Sequence, residues 1–237
     1  MSALAVTTVL FVVLSLHDAH AEPSPSGAST EQTYLADCAV CHGADAGGTN
    51  RGPSLQGVGR ASIDFMITTG RMPIAEPNQR TERRAPHYSA DQQRALVDYV
   101  SQLAGGGGRD IPALDTASAD LAEGASQYRD QCAACHAWSG GGGALLQREA
   151  PGLLESTAVQ TAEAIRTGPG SMPVFGTAAL DDRQLNDTVA FVESLQHTDD
   201  RGGLPLGHLG PVTEGAIAIL GGLGLLVLGA RWIGTDR

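Results

Sequence analysis

Basic and aromatic residues are scarce in this chain of 237 residues, and lysine is absent. The 15 basic residues are all arginine and stand against 26 acidic residues, so the formal net charge is -11. Binding to a nucleic-acid backbone depends on a basic face that displaces counterions. We therefore expect no nucleic acid among the partners.

Large side chains that could fill a hydrophobic core are also few. Aromatic residues make up 4% of the chain, and its 31 glycines add no core volume. Two cores of ordinary size would be hard to fill in this way, so another apolar body must contribute. A hydrophobic share of 42% and a charged share of 17% nevertheless exclude a wholly disordered or collagen-like chain.

All four cysteines belong to an internal repeat of the form Tyr-x3-Cys-x-x-Cys-His. Its copies contain Tyr34, Cys38, Cys41 and His42 in the first half, and Tyr128, Cys132, Cys135 and His136 in the second. Each copy is followed by a Met-Pro pair and then by a capping-box signature before an apolar helical pattern. Those signatures begin at Ser89 and Asp181. Two copies of one small module account for this pattern.

The Cys-x-x-Cys-His spacing is that of covalent haem c attachment. On one helical turn the cysteines at i and i+3 can both reach the vinyl edge of a porphyrin, and the histidine at i+4 comes beneath the iron. A disulfide, a thioredoxin-like motif or part of a zinc site would use similar spacing. Neither half has a second cysteine pair for a zinc tetrad, and a redox dithiol needs neither the histidine nor the Met-Pro pair. The sequence therefore predicts two covalently bound haem c groups.

The sixth iron ligand must come from elsewhere in each module, and we predict Met72 and Met172. Both follow a Thr-Gly pair and precede proline, at similar distances after the histidine. Core filling is the other interpretation of a methionine, and it is the one we expect for Met66. Three further histidines have no counterpart in the other module and are expected in solvent or linkers: His87, His197 and His208.

These motifs resemble the cytochrome c family of small helical haem domains. In that family a proline carbonyl in a Gly-Pro-x-Leu stretch accepts the proton on the other nitrogen of the ligating histidine and so orients the ring. The resemblance implies this role for Pro53 and for Pro151. The first stretch matches fully, whereas Ala150 replaces the glycine of the second and Ala137 stands where the first module has Gly43.

Both ends of the chain carry apolar segments. Residues 1–21 are predicted to be a signal peptide or an uncleaved leader, since a small-x-small site follows the apolar run but no basic residue precedes it. Near the other end, Gly215 to Ala230 lacks any charged residue and Trp232 follows. This length suits a membrane span, although a buried core helix would share it. Arg231 and Arg237 on its far side predict a cytoplasmic C-terminus, with the haem domains outside.

The predicted fold is all-α, with two tandem small helical cytochrome c domains and one C-terminal transmembrane helix. The expected boundaries are a leader over 1–21, domains over 30–104 and 120–196, linkers over 105–119 and 197–211, a transmembrane helix over 212–234 and a tail over 235–237. An insertion after Met72 carries Arg80, Arg83 and Arg84 and is either a solvated loop or a docking surface for an acidic partner.

This domain order resembles the dihaem cytochrome cc subunit of the actinobacterial-type menaquinol:cytochrome c reductase. The resemblance implies an electron relay from a Rieske iron-sulfur subunit through both haems to a haem-copper oxidase, beside a cytochrome b subunit that holds the quinol sites. The chain would then belong to a proton-translocating enzyme without substrate chemistry of its own. Three alternatives stay open: a tethered dihaem carrier, a subunit of a periplasmic dehydrogenase and a dihaem peroxidase.

Overall fold

The structure is a computed structural model that describes residues 29–77, 79–145, 148–197 and 211–234. These residues belong to two compact units that divide between Pro112 and Ala113. The predicted leader over 1–21, most of the predicted linker over 197–211 and the tail over 235–237 lie outside the described residues.

The named elements in the described part of the first unit are all helices, joined by turns and loops. Its helices are α1 (Thr30–Asp37), α2 (Ala39–His42), α3 (Arg60–Thr68) and α4 (Ala90–Leu103). Capping boxes at Ser29 and Ser89 begin α1 and α4. In each box the serine side-chain oxygen accepts a hydrogen bond from a backbone N–H, and a glutamine side-chain oxygen accepts one from the backbone N–H of that serine. The predicted start of α4 is therefore confirmed.

The core of the first unit lies where α1, α3 and α4 meet. It consists of two tyrosines and five aliphatic side chains: Tyr34, Ile63, Ile67, Tyr88, Leu96, Val97 and Val100. The aliphatic members recur at helical spacing on α3 and α4, so one face of each helix supplies the core. This small core agrees with the composition, because it draws on few large side chains.

The second unit repeats the helical plan and adds a hairpin and a long apolar helix. Its elements are α5 (Leu121–Gln131), α6 (Ala133–His136), β1 (Gly143–Leu145), β2 (Arg148–Ala150), α7 (Ala158–Thr167), α8 (Asp182–Gln196) and α9 (Pro211–Gly234). A capping box at Asp181 begins α8, as the sequence predicted. The antiparallel hairpin was not predicted. It follows a glycine run in which Gly140 and Gly142 have φ values of 71° and 85°, so the chain can turn back sharply there.

Helices α5 and α8 cross very closely in the second unit. A Cβ placed on Gly124 of α5 would lie 2.0 Å from the backbone oxygen of Asp187 in α8. Glycine is unfavourable inside a helix by about 1 kcal/mol relative to alanine, so its presence here reflects the close crossing. Two small core clusters lie beside this crossing, one around Tyr128 and Val192 and the other around Ile165.

The segment predicted as a flexible linker, residues 105–119, takes part in both units. Ile111 packs against the core of the first unit, and the N–H of Ala61 donates to the carbonyl of Arg109 at 3.1 Å. Leu114 packs against the Ile165 cluster of the second unit. The glycine run led to the expectation of a free joint, but the apolar residues that follow it are used for packing.

The last described helix, α9, is long and apolar enough to cross a membrane. Residues Gly215–Gly234 form a 20-residue stretch of mean hydropathy 2.0, none of which is buried against the rest of the chain. The alternative of a buried core helix is therefore wrong. The structure confirms the predicted class, two helical units followed by one membrane-anchor helix.

Candidate functional site

Each Cys-x-x-Cys-His motif occupies a break between two helices. Cys38 ends α1 and begins α2: its N–H donates to the carbonyl of Tyr34 at 2.9 Å, and its own carbonyl accepts from the N–H of His42 at 2.9 Å. Cys132 makes the same pair of bonds between α5 and α6, at 2.8 and 2.9 Å. The cysteines and the histidine of each motif therefore share one helical turn, and their side chains project to one side of it.

Both histidines are oriented by a proline carbonyl. His42 Nδ1 lies 2.8 Å from the oxygen of Pro53, and His136 Nδ1 lies 2.9 Å from the oxygen of Pro151. A carbonyl oxygen can only accept, so Nδ1 must carry the proton and donate it. The lone pair is then on Nε2, the nitrogen that is free to bind a metal.

A buried tyrosine closes the turn after each histidine. Tyr34 donates its hydroxyl to the carbonyl of Gly43 at 2.7 Å, and Tyr128 donates to the carbonyl of Ala137 at 2.7 Å. Burial raises the pKa of both phenols, that of Tyr128 to about 12, so they remain donors over the whole physiological range. Both tyrosines belong to the repeated motif, but the motif alone does not predict this hydrogen bond.

The turn that follows the histidine is strained in the second unit. Gly43 has a φ of 80°, which costs glycine little, whereas Ala137 has a φ of 61°, a region that residues with a Cβ rarely adopt. The bond from Tyr128 to the carbonyl of Ala137 holds the chain in this conformation.

All four thiols are free and half-buried. Burial raises the pKa of Cys38 to about 12, with a further rise from Asp37, and burial raises that of Cys132 to about 11. These two thiols are therefore protonated at neutral pH. The described residues contain no group of three or more His, Cys, Asp or Glu side chains that could hold a metal ion.

The segment that carries Met72 is held from two sides. The N–H of Met72 donates to the carbonyl of Met66 at 3.0 Å, so the segment folds back on the end of α3. From the other side, the N–H of Arg84 donates to the carbonyl of Thr69 at 3.1 Å. A Cβ on Gly70 would lie 2.4 Å from the carbonyl oxygen of Arg84. The insertion after Met72 thus lies against the methionine segment.

An arginine next to Met72 is buried. Arg71 is 9% exposed, and its Cζ lies 4.7 Å from the centre of the Phe65 ring. Its Nη1 atom is buried without a hydrogen-bond partner. Burial lowers the pKa of this guanidinium, and the nearby charge of Arg83 lowers it further.

The segment that carries Met172 is held by a different arginine. Arg166 on α7 is 4% exposed and donates to the carbonyls of Phe175 at 3.1 Å and Leu180 at 2.6 Å. Its Nη2 atom also lies 2.7 Å from an oxygen of Asp182. Met172 packs against the core cluster around Ile165. The chain after Met172 is therefore clamped to α7 and to the start of α8.

The second unit contains a mainly apolar recess beside its motif. It is lined by Gln127, Gln131, Cys132, Ile165, Phe175, Leu180 and Thr188. The thiol-bearing residue Cys132 and the cluster against which Met172 packs thus face the same recess. A donor set of paired thiols, a free imidazole nitrogen and a thioether beside apolar walls fits a covalently held haem.

Comparison with known proteins gives two kinds of match. A family model described as cytochrome C oxidase, cbb3-type, subunit III matches twice, over residues 25–100 and 119–192. A protein of Corynebacterium diphtheriae named cytochrome bc1 complex cytochrome c subunit is 37% identical over 85% of this chain and 78% of its own length. Proteins of the same name from Mycobacterium tuberculosis and Mycobacterium leprae are 36% and 35% identical, over 86% of this chain and 76% and 74% of theirs.

Proposed function

This chain belongs to the family of cytochrome c subunits of cytochrome bc1 complexes, whose members carry covalently bound haem c, and we propose that it relays electrons through two such haems. Electrons would enter from a Rieske iron-sulfur subunit and leave to a haem-copper oxidase, next to a cytochrome b subunit. The chain would thus serve a proton-translocating quinol:cytochrome c reductase without reacting with substrate itself.

The observation that carries the proposal is the twofold occurrence of one donor set. In each unit a free thiol pair shares a helical turn with an imidazole whose Nδ1 is bonded to a proline carbonyl. The first haem would be attached at Cys38 and Cys41 between His42 and Met72. The second would be attached at Cys132 and Cys135 between His136 and Met172. Haem iron supplies reversible one-electron chemistry, and a thioether ligand favours the ferrous form.

The protein residues hold the site still while only an electron moves. The carbonyls of Pro53 and Pro151 keep each imidazole in the tautomer that leaves Nε2 free. The clamp by Arg166 restrains the segment after Met172, and the insertion does the same for the segment before Met72. If the histidine and the methionine of each unit both held the iron, no position would be left open to peroxide or oxygen.

The apolar helix α9 would anchor the chain in the cell membrane. Arg231 lies in the last turn of α9 and Arg237 follows the helix in the sequence, and both favour a cytoplasmic C-terminus, with the haem units on the other side. A membrane anchor would keep the haems at the surface of the same membrane as the cytochrome b subunit and the oxidase. This confinement raises their effective concentration for electron transfer.

Purification of the full chain in mild detergent tests the proposal. We expect the mass of the mature protein to exceed that of the polypeptide by two haem groups, and we expect the oxidised spectrum to contain the methionine-iron absorption band. Cytochrome b and a Rieske signal should co-purify. One haem or none would refute the paired site, and a high-spin pentacoordinate iron would favour a peroxidase. Recovery of the chain without b-type haem would favour a tethered dihaem carrier. Co-purification with a dehydrogenase would favour a subunit of a periplasmic dehydrogenase.

A further inference from the structure

The second unit contains a buried polar pair beside the recess next to Cys132. The hydroxyl of Thr188, on α8, donates to the side-chain oxygen of Gln127, on α5, at 2.8 Å. Thr188 is 1% exposed and Gln127 is 7% exposed, and both side chains belong to the lining of the recess. Burying polar side chains costs free energy even when they are hydrogen-bonded to each other. Neither residue takes part in the proposed attachment or ligation of a haem.

The side-chain amide of Gln127 has a defined direction. Its Nε2 atom donates to an oxygen of Glu123 at 3.0 Å, and the exposed carboxylate of Glu123 strengthens this bond. The amide oxygen, which is the negative end of the amide dipole, therefore lies at the inner end, against Thr188 in the wall of the recess. A positive charge in the recess would be stabilised by this arrangement.

The first unit has a more apolar wall at the corresponding positions. Counted from the Cys-x-x-Cys-His motif, Thr33 corresponds to Gln127, and counted from the capping box, Leu96 corresponds to Thr188. Thr33 donates to the backbone carbonyl of Ser29 at 3.2 Å, and Leu96 is 1% exposed within the core of the unit. The two haem sites thus differ in the polarity of one wall.

The charges of the two units differ in the same sense. Residues 30–104 contain 8 acids and 7 arginines, a net charge of -1, whereas residues 120–200 contain 12 acids and 4 arginines, a net charge of -8. Among the described residues, the buried ionisable groups of the first unit include the cation Arg71, and those of the second include the acids Glu163 and Asp187. The buried Arg166 of the second unit is offset by its own partner, Asp182.

We propose that the haem attached at Cys132 and Cys135 has the lower midpoint potential of the two, and that Gln127 contributes to the difference. Ferric haem carries one more positive charge than ferrous haem, so a nearby negative charge or negative dipole end favours the ferric form and lowers the potential. Burial keeps these interactions from being screened by salt. A single electron is then held mainly by the first haem. This inference rests on the proposed attachment of one haem to each unit.

Two substitutions at position 127 should move the lower potential in opposite directions. Gln127→Leu removes the amide, and the Thr188 hydroxyl still has the carbonyl of Gln184 within reach, at 2.8 Å, so the lower potential should rise. Gln127→Glu keeps an acceptor for Thr188 and adds a negative charge, so the lower potential should fall further. Gln196→Leu is the matched control, because it removes the same amide from α8 of the same unit, where that amide bonds two backbone carbonyls outside the recess lining.

The measurement is a spectroelectrochemical titration of the full chain in detergent with both haems attached. Opposite shifts of the lower potential in the two variants, with the higher potential and Gln196→Leu unchanged, support the inference. Unchanged potentials in both variants, or a shift of the higher potential, overturn it and leave the relay proposal intact. A rise of equal size in Gln196→Leu also overturns it, because a loosened fold would then be the cause. Fewer than two haems in the wild-type protein would instead refute the relay proposal itself.

The wild-type protein decides the case in which neither variant at position 127 accumulates with both haems. Added salt screens the excess exposed acids of the second unit, so a higher ionic strength should raise the lower potential more than the higher one. An equal or larger rise in the higher potential would show that the lower-potential haem does not belong to the acidic unit, which overturns the inference.

Discussion

At the scale of single residues, the two units orient their histidines in the same way but restrain their methionines differently. The Nδ1 atoms of His42 and His136 both meet a proline carbonyl, at 2.8 and 2.9 Å. The N–H of Met72 donates to the carbonyl of Met66, so a backbone hydrogen bond restrains the first methionine segment. The segment after Met172 is restrained by the side chain of Arg166, which donates to two of the carbonyls that follow. Substitutions at single positions should therefore act on the two haems separately.

Replacement of Met72 by leucine tests the proposed sixth ligand of the first haem. We expect Met72→Leu to lose about half of the methionine-iron absorbance and to lower the potential of one haem, because the thioether no longer stabilises ferrous iron. Met66→Leu is the control, because Met66 is also half-buried. A substitution that conserves volume should cost less than about 1.5 kcal/mol in the free energy of unfolding. It should leave the spectrum unchanged. An intact band in Met72→Leu would disprove the assignment.

Replacement of Arg166 tests the clamp in the second unit. Arg166→Gln removes charge-assisted bonds to the carbonyls of Phe175 and Leu180, so we expect a loss of about 3 kcal/mol in the free energy of unfolding. Denaturant titration of the holoprotein measures it. The control Arg129→Gln removes a half-exposed arginine that faces Asp130 at 3.6 Å and should change stability by less than about 1 kcal/mol. Equal effects of the two variants would contradict a clamp.

At the scale of elements, short helices are begun by local caps and completed by long-range packing. Four of the described helices, α1, α4, α7 and α8, begin at capping boxes of the same form, at Ser29, Ser89, Thr157 and Asp181. Each such cap is worth about 1 kcal/mol, which is too little to hold a helix of this length by itself in water. The crossing of α5 and α8 supplies contacts that the caps cannot.

The close crossing at Gly124 leads to a prediction about helix packing. Gly124→Ala should destabilise the second unit by about 1–3 kcal/mol despite the better helix propensity of alanine, because its Cβ would meet the Asp187 carbonyl at 2.0 Å. Thermal or denaturant unfolding of the holoprotein measures the change. The same substitution at Gly215 of α9, where an added Cβ meets nothing within 4 Å, should not destabilise the protein. A stabilised Gly124→Ala variant would show that the helices separate freely.

At the scale of the whole molecule, the small cores explain why a covalent apolar group would be needed. Segments of about 70 residues have little surface to bury, and the buried clusters around Tyr34 in one unit and around Ile165 and Tyr128 in the other are small. A haem held inside each unit would add the missing apolar contact.

Removal of the attachment sites tests this dependence. A variant with all four cysteines changed to alanine should lose native helicity and cooperative melting, as measured by circular dichroism on protein in detergent. Changing only Cys38 and Cys41 serves as the control, since the second unit keeps its own thiols and should retain one haem, with about half of the helical signal from the two units. Native helicity and a cooperative transition without any cysteine would contradict the prediction.

The sequence alone determined the local features of this protein: the repeated motifs, the capped starts of α4 and α8 and the single apolar helix near the end. These depend on residues within a few positions of one another, so spacing and residue type are sufficient to predict them. The resemblance to cytochrome c also predicted which carbonyl each imidazole meets, through a proline some distance along the chain.

Tertiary structure decided what depends on residues brought together from distant parts of the chain. No periodic signal in the sequence predicts three of the observed contacts. These are the stacking of Arg71 on Phe65, the contact of the insertion with Gly70, and the close approach of Gly124 to Asp187. The packing of Ile111 and Leu114 was not predicted either. Both follow a glycine run that predicts a linker, yet Ile111 packs against the core of the first unit and Leu114 against the Ile165 cluster of the second. Burial depends on the surrounding fold and not on the residue type alone. Only the tertiary structure therefore shows that Arg71 is buried and takes part in none of the ion pairs among the described residues.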